Sequence, residues 1–118
     1  MCTVTLIPVR YGHDVGFRIG CNRDESIQRE AALPPRLQRF GDRVALLPID
    51  PASQGTWIAI NDAGLAFVLL NRNQSQRAHW PTNPSLSRGL IIPDLLHCSD
   101  LHQAKRFAWK WVTEPTSP

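Results

Sequence analysis

Two pairs of extended runs, each folding back over a short turn, constrain this chain more than any other feature of its sequence. Thr3-Val4-Thr5-Leu6-Ile7 is β-branched and alternating; Pro8 to Gly12 interrupts the pattern and Val15-Gly16-Phe17-Arg18-Ile19-Gly20 resumes it. Alternation with period two is the mark of strands. Folding about Gly12 and His13 pairs residues whose numbers sum to about 25, which sets position 2 opposite positions 23 and 24. The second pair, Thr56 to Ile60 and Leu65 to Leu70, flanks Asn61-Asp62-Ala63-Gly64, where Gly64 can supply the positive φ of a type I turn with a bulge. Its second strand is apolar on both faces, which predicts a central place in a covered sheet.

Between these pairs, Ala31 to Arg36 carries Pro34-Pro35 and reads as an extended connector, and Val44-Ala45-Leu46-Leu47 reads as a short buried strand stopped by Pro48. Asn71 to Ser87 turns to Asn, Gln, Ser, Arg and Pro, a long loop with Trp80 placed to pin it to the body. Helix signals begin only afterwards. Ser87 can cap a helix through Leu90-Ile91-Ile92, but Pro93 would break its interior; the better start sets Pro93 in the first turn ahead of Asp94-Leu95-Leu96. Asp100 with Gln103 resembles a capping box, and Leu101, Ala104, Phe107, Ala108 and Trp111 then share one helical stripe. The expectation is an α+β domain over residues 1–112, antiparallel hairpins followed by C-terminal helices, with a tail at 113–118.

Charge and cysteine usage narrow the function classes. With 118 residues the chain holds one small core, and its +3 net charge comes from scattered bases with no run longer than Lys105-Arg106. A nucleic-acid partner is therefore not expected. The longest apolar stretch, Leu65 to Leu70, is far short of the roughly 20 residues that span a bilayer. Three cysteines and no secretory leader argue against a disulfide framework and for a cytoplasmic protein. His97, Cys98 and His102 stand close in sequence, but residues of this kind near a helix are more often surface and core groups than ligands, so neither metal nor cofactor is expected.

Chemistry concentrates at Cys2. Removal of an initiator Met ahead of a small residue would leave a thiol and an α-amine on one residue, nucleophile and base together, and a free α-amine titrates near neutrality. The hairpin arithmetic puts Cys21-Asn22-Arg23-Asp24-Glu25 beside it. There Asp24 can accept a hydrogen bond from the amine, and Arg23 can pair with Glu25 or with a substrate carboxylate; the plainer reading is a polar turn after a strand. Asn71, at the end of the Leu65 to Leu70 strand, can present its amide to an oxyanion or simply start a turn. Gly55-Thr56-Trp57 either lets backbone approach something closely or begins a strand.

Met1-Cys2-Thr3, Cys21 to Glu25, Gly55-Thr56-Trp57, the Asn61 to Asn71 hairpin and Ser87-Arg88-Gly89 occur in an order that resembles the NRDE family, also called transport and Golgi organization 2 proteins. That family is similar in turn to N-terminal nucleophile hydrolases of the penicillin V acylase and bile salt hydrolase type, which implies an αββα sandwich. By this resemblance Cys2 is the nucleophile, Asp24 the residue that orients the amine and Asn71 the oxyanion donor, with Asn22, Arg23, Glu25 and Trp57 toward the substrate. The first-motif arginine of those hydrolases falls at Cys21, next but one to Arg23. The implied activity is cleavage of a small acyl amide. The alternatives are a non-enzymatic family member that handles haem, a lipid or another apolar ligand or serves Golgi organisation, and a truncated, inactive product, since family members are longer and the sandwich is expected to be incomplete.

Overall fold

The computed structural model describes residues 2–70 and 87–113. Within them the chain is α+β: β1 (Thr3–Tyr11) and β2 (Asp14–Asn22) form one antiparallel sheet, and β3 (Leu33–Phe40), β4 (Arg43–Ile49), β5 (Ile58–Asn61) and β6 (Ala66–Val68) form a second in that order. A 3₁₀ turn at Arg88–Leu90 leads into α1 (Ile91–Leu95) and then α2 (Leu101–Thr113).

The first hairpin pairs Thr3 with Asn22 and Tyr11 with Asp14, so the pair numbers sum to 25 throughout. Gly12 takes φ of 62° at the first position of the two-residue loop, and Gly41 takes 59° at the matching place between β3 and β4. A two-residue hairpin loop that matches strand twist needs a positive φ there, which glycine adopts without strain. Pro8 does not interrupt β1 but pairs with Phe17. Each strand of a two-stranded ribbon has an open edge, and proline is tolerated where its nitrogen faces that edge.

Three further expectations are corrected in the second sheet. The Pro34-Pro35 segment is not a connector; it lies in β3, whose register shifts between Leu33 and Arg36, and Pro48 lies inside β4 across from that irregularity. An edge strand and a bulge are the two places where a missing N–H leaves no gap in the ladder. Among the described residues β6 is an edge strand rather than a central one. It is apolar on both sides because Phe67 and Leu69 pack on the core while Ala66 lines a cleft on the opposite face.

Period-two alternation decides what that sheet buries. Ala45, Leu47 and Ala59 face the helices and form the core with Ile92 and Leu96, backed by Phe40, Ile49, Phe67 and Leu69. Leu46, Ile60 and Ala66 are paired across three strands and point the other way. They line an apolar cleft of about 270 Å³ whose opposite wall is Phe17 and Ile19 of β2.

The helical end follows local signals closely. The Ser87 side chain accepts a hydrogen bond from the Gly89 N–H at the start of the 3₁₀ turn. Pro93 is the third residue of α1, inside the first turn, where no N–H is required. The Gln103 N–H donates to Asp100 Oδ1 at 2.8 Å, and Gln103 Oε1 accepts from the Ser99 N–H at 2.8 Å, the reciprocal logic of a capping box. Of the expected stripe, Ala104 is buried and Phe107, Ala108 and Trp111 are half-buried, but Leu101 is 60% exposed. It opens the helix, ahead of the turn that packs. Trp111 Nε1 donates to Asp94 Oδ2 at 2.7 Å and ties α2 to α1.

Candidate functional site

The site is built around the turn that ends β4. The Asp50 N–H donates to the Gly55 carbonyl at 2.9 Å, the Gln54 N–H to the Asp50 carbonyl at 2.8 Å, and the Ala52 N–H to Asp50 Oδ1 at 3.0 Å. This closed turn holds Gln54 at φ of 57° and passes the chain to Gly55, which lies against Gly89. A Cβ at Gly55 would stand 2.5 Å from the Gly89 carbonyl carbon, so only glycine fits. The contact is fixed by the Thr56 N–H, which donates to the Gly89 carbonyl at 3.0 Å. Two sequence motifs, Gly55-Thr56-Trp57 and Ser87-Arg88-Gly89, thus meet backbone to backbone.

Onto this frame the first hairpin and the segment after it deliver charge. Arg23 Nη2 donates to Asp50 Oδ2 at 2.6 Å and Arg23 Nε to Glu25 Oε1 at 3.1 Å, while its guanidinium carbon sits 4.3 Å from the centre of the Trp57 ring. Arg29 Nε donates to the same Asp50 oxygen at 3.0 Å, Arg29 Nη2 hydrogen-bonds it as well, and Arg29 Nη1 lies 3.6 Å from Glu25. Arg23 therefore has a carboxylate on two sides and an aromatic face beneath it. These groups, with Ser53, Thr56, Ser87 and Arg88, line a cleft of about 180 Å³.

Asp50 is the hub, only 3% exposed. Burial pushes its carboxyl upward, but hydrogen bonds from Arg29, the Ala52 N–H and Arg23 outweigh that, and the net position is below the usual carboxylate value. A carboxyl depressed in the folded state contributes stability that is complete above its unfolded value, about 3.9, and is lost as pH falls through the folded one. The expected result is a melting temperature that drops below about pH 4, and a lower starting point with a shallower acid limb in Asp50→Asn. Thermal melts followed by circular dichroism from pH 7 to pH 3 check this, and an unchanged acid limb in the variant would remove Asp50 as its cause.

Of the residues singled out from sequence, Arg23, Glu25 and Trp57 come together in this cleft. Cys2 is half-buried just before the first ladder pair, and continuing the β1–β2 register sets it across from Arg23. Asn22 ends β2 with an exposed side chain. Asp24 is exposed, and its carboxyl is held below the usual range by a hydrogen bond from the chain's amino terminus and by that group's charge. The expected oxyanion donor Asn71, the long loop it opens and Trp80 lie outside the described residues.

Sequence reasoning missed Asp50 and Arg29. Their only local signal is an acid directly after an apolar strand and ahead of Pro51, and a base beyond the Asn-Arg-Asp-Glu run. His97 packs edge-on to Phe107 at 4.6 Å, and Cys98 is fully buried, its thiol pushed up by burial and by the nearby Asp94 and Asp100. Among the described residues no group of His, Cys, Asp and Glu side chains is arranged to hold a metal ion, and no helix is long and apolar enough to cross a membrane.

Comparison with known proteins gives one match. The family model described as Transport and Golgi organisation 2 matches residues 1–114. No curated protein and no solved structure matches the chain.

Proposed function

The chain belongs to the Transport and Golgi organisation 2 family, and from that premise we propose that it is a cytoplasmic N-terminal cysteine hydrolase that cleaves the C–N bond of a small acyl amide through a Cys2 thioester. With Met1 removed, the Cys2 thiol passes its proton to its own α-amine and the sulfur attacks the acyl carbon. Asn71 and a backbone N–H hold the oxyanion, collapse expels the amine with that proton, and water then releases the acid from the thioester.

The observation that supports this reading is the β1–β2 register, whose continuation sets Cys2 across from Arg23 and so brings the Cys2 α-amine and Asp24 to the same end of the hairpin. A carboxylate in that position orients an α-amine and raises its basicity. Arg23 is clamped by Asp50, Glu25 and Trp57, so it serves as a rigid cationic wall beside Cys2 rather than as a base. Glu25 and Trp57 complete the side toward the substrate, whereas Asn22, paired with Thr3, falls on the opposite face of the hairpin from Cys2.

The test starts with intact mass and peptide mapping after brief, substoichiometric alkylation near neutral pH. Loss of Met1 and faster labelling of Cys2 than of Cys21 or Cys98 is the expected result. A screen of N-acyl amides should then show hydrolysis that falls about a thousandfold or more in Cys2→Ala and persists in Cys98→Ala. Retention of Met1, or a rate unaffected by Cys2→Ala, would sink the proposal.

The apolar cleft between β2 and the outer face of the second sheet favours a second reading, carriage of an apolar ligand such as haem or a fatty acyl thioester. Saturable binding that survives Cys2→Ala, with no turnover of any acyl amide, would decide for it.

A further inference from the structure

Cys21 takes no part in the hydrolysis proposed above, yet the fold brings it to the nucleophile. It pairs with Val4 in the β1–β2 ladder, and the next pair outward, Thr3 with Asn22, is followed by Cys2 opposite Arg23. Side chains alternate along a strand and directly paired residues share a face, so Cys2, Val4, Cys21 and Arg23 all project to the same side. Cys2 and Cys21 are diagonal neighbours there, and both are half-buried with free thiols.

We infer that Cys21 is the resolving thiol for Cys2, so that a peroxide converts the pair into a reversible disulfide across the hairpin. The Cys2 thiolate attacks one peroxide oxygen; the S–O bond forms as the O–O bond breaks, and the sulfur is oxidised to the sulfenic acid while hydroxide leaves. The Cys21 sulfur then attacks the Cys2 sulfur, the S–S bond forms as the S–O bond breaks, and the hydroxyl departs as water with the Cys21 proton. Two electrons leave the protein in all, and the peroxide accepts them.

Diagonal cross-strand neighbours stand roughly 7–8 Å apart, somewhat less between Cβ atoms, whereas a disulfide needs about 4 Å between Cβ atoms. The missing distance falls on a part of the chain that can supply it. Cys2 precedes the first ladder pair, so no strand pairing holds its backbone. The two sulfurs also feel one another: the Cys21 thiol is pushed up by burial first and by the charge of Cys2 second. Cys98 is 0% exposed in the helix-side core and serves as an internal control.

The experiment treats the whole chain with hydrogen peroxide, alkylates it under denaturing conditions and maps the peptides without reduction. Two of the three thiols should be lost, the intact mass before alkylation should fall by about 2 Da, Cys2 and Cys21 peptides should be joined, and dithiothreitol should restore both thiols. Cys98→Ala should behave like the parent. In Cys21→Ser and Cys21→Ala the link should vanish and Cys2 should accumulate as sulfinic acid, about 32 Da heavier. The inference is overturned if Cys2 in the parent reaches the sulfinic acid as readily as in these variants, or if the link joins two chains or reaches Cys98. None of these readouts needs Cys2 to hydrolyse a substrate, so this inference and the proposed activity stand or fall separately.

Discussion

Gly55→Ala is expected to cost about 3–5 kcal/mol, summing an overpacking term with the loss of a buried hydrogen bond. The new Cβ would lie 2.5 Å from the Gly89 carbonyl carbon, 2.6 Å from its oxygen and 2.7 Å from its Cα. All three are backbone atoms, so no rotamer change relieves the contact. Separation by the needed ångström would break the Thr56 to Gly89 hydrogen bond and loosen the turn that closes on Asp50. Since domains of this size are stable by only about 5–15 kcal/mol, the urea midpoint should fall by roughly a fifth or more. Gly89→Ala is the control. Its Cβ would meet Gly55 Cα at 3.2 Å and two serine hydroxyls at 3.4 Å, a tight fit that small shifts relieve, and its cost should be about 1 kcal/mol. Equal midpoints for the two variants would show that this close approach is not what holds the motifs together.

Asn61 should be nearly as sensitive. It is 5% exposed and uses its whole amide: Nδ2 donates to the carbonyls of Leu96 at 3.1 Å and Cys98 at 2.8 Å, and Oδ1 accepts from the N–H groups of Ala63 and Leu65, each at 3.1 Å. One side chain thereby shapes the β5–β6 turn and joins it to the link between α1 and α2. Asn61→Ala strips partners from four backbone groups and should cost about 3–4 kcal/mol, some of it recovered where water enters. Asn61→Asp keeps the size and the two acceptor contacts but sets an ionised oxygen against two carbonyl oxygens. Only the protonated acid can donate there, so the folded state raises the new carboxyl's pKa, and the variant's deficit should grow as pH rises through that raised value. Denaturation of both variants at pH 5 and pH 8 checks this. An Asn61→Asp deficit that does not change with pH would show that its side chain has turned away from the carbonyls.

Local rules were legible in the residues themselves. Alternation about Gly12 and His13 fixes a register that the structure keeps, Gly64 takes the positive φ that its turn demands, and Ser87, Pro93 and Asp100 mark the helix starts. Each of these depends on neighbours a few residues away. The misread prolines share one cause: Pro8, Pro34, Pro35 and Pro48 read as strand breakers from local pattern, yet all four lie within strands. Whether a proline breaks a strand depends on which side of the ladder its nitrogen faces, and that is known only once the strand has a partner.

The candidate site divides in the same way. Cys2, Arg23, Asp24 and Glu25 could be gathered on paper because a single hairpin of known register connects them. Asp50 and Arg29 could not, since Asp50 is 27 residues from Arg23 and 21 from Arg29 and meets them only when the second sheet has formed. A lone acid between a strand and a proline looks like an ordinary turn residue. Its burial, the two guanidiniums on one of its oxygens and the contact of Gly55 with Gly89 all come from elements distant in sequence. The sequence by itself determined the turns, caps and first register, because those energies are local. Tertiary structure decided which charge is buried and which backbones touch, because both depend on distances between elements that only the folded chain sets.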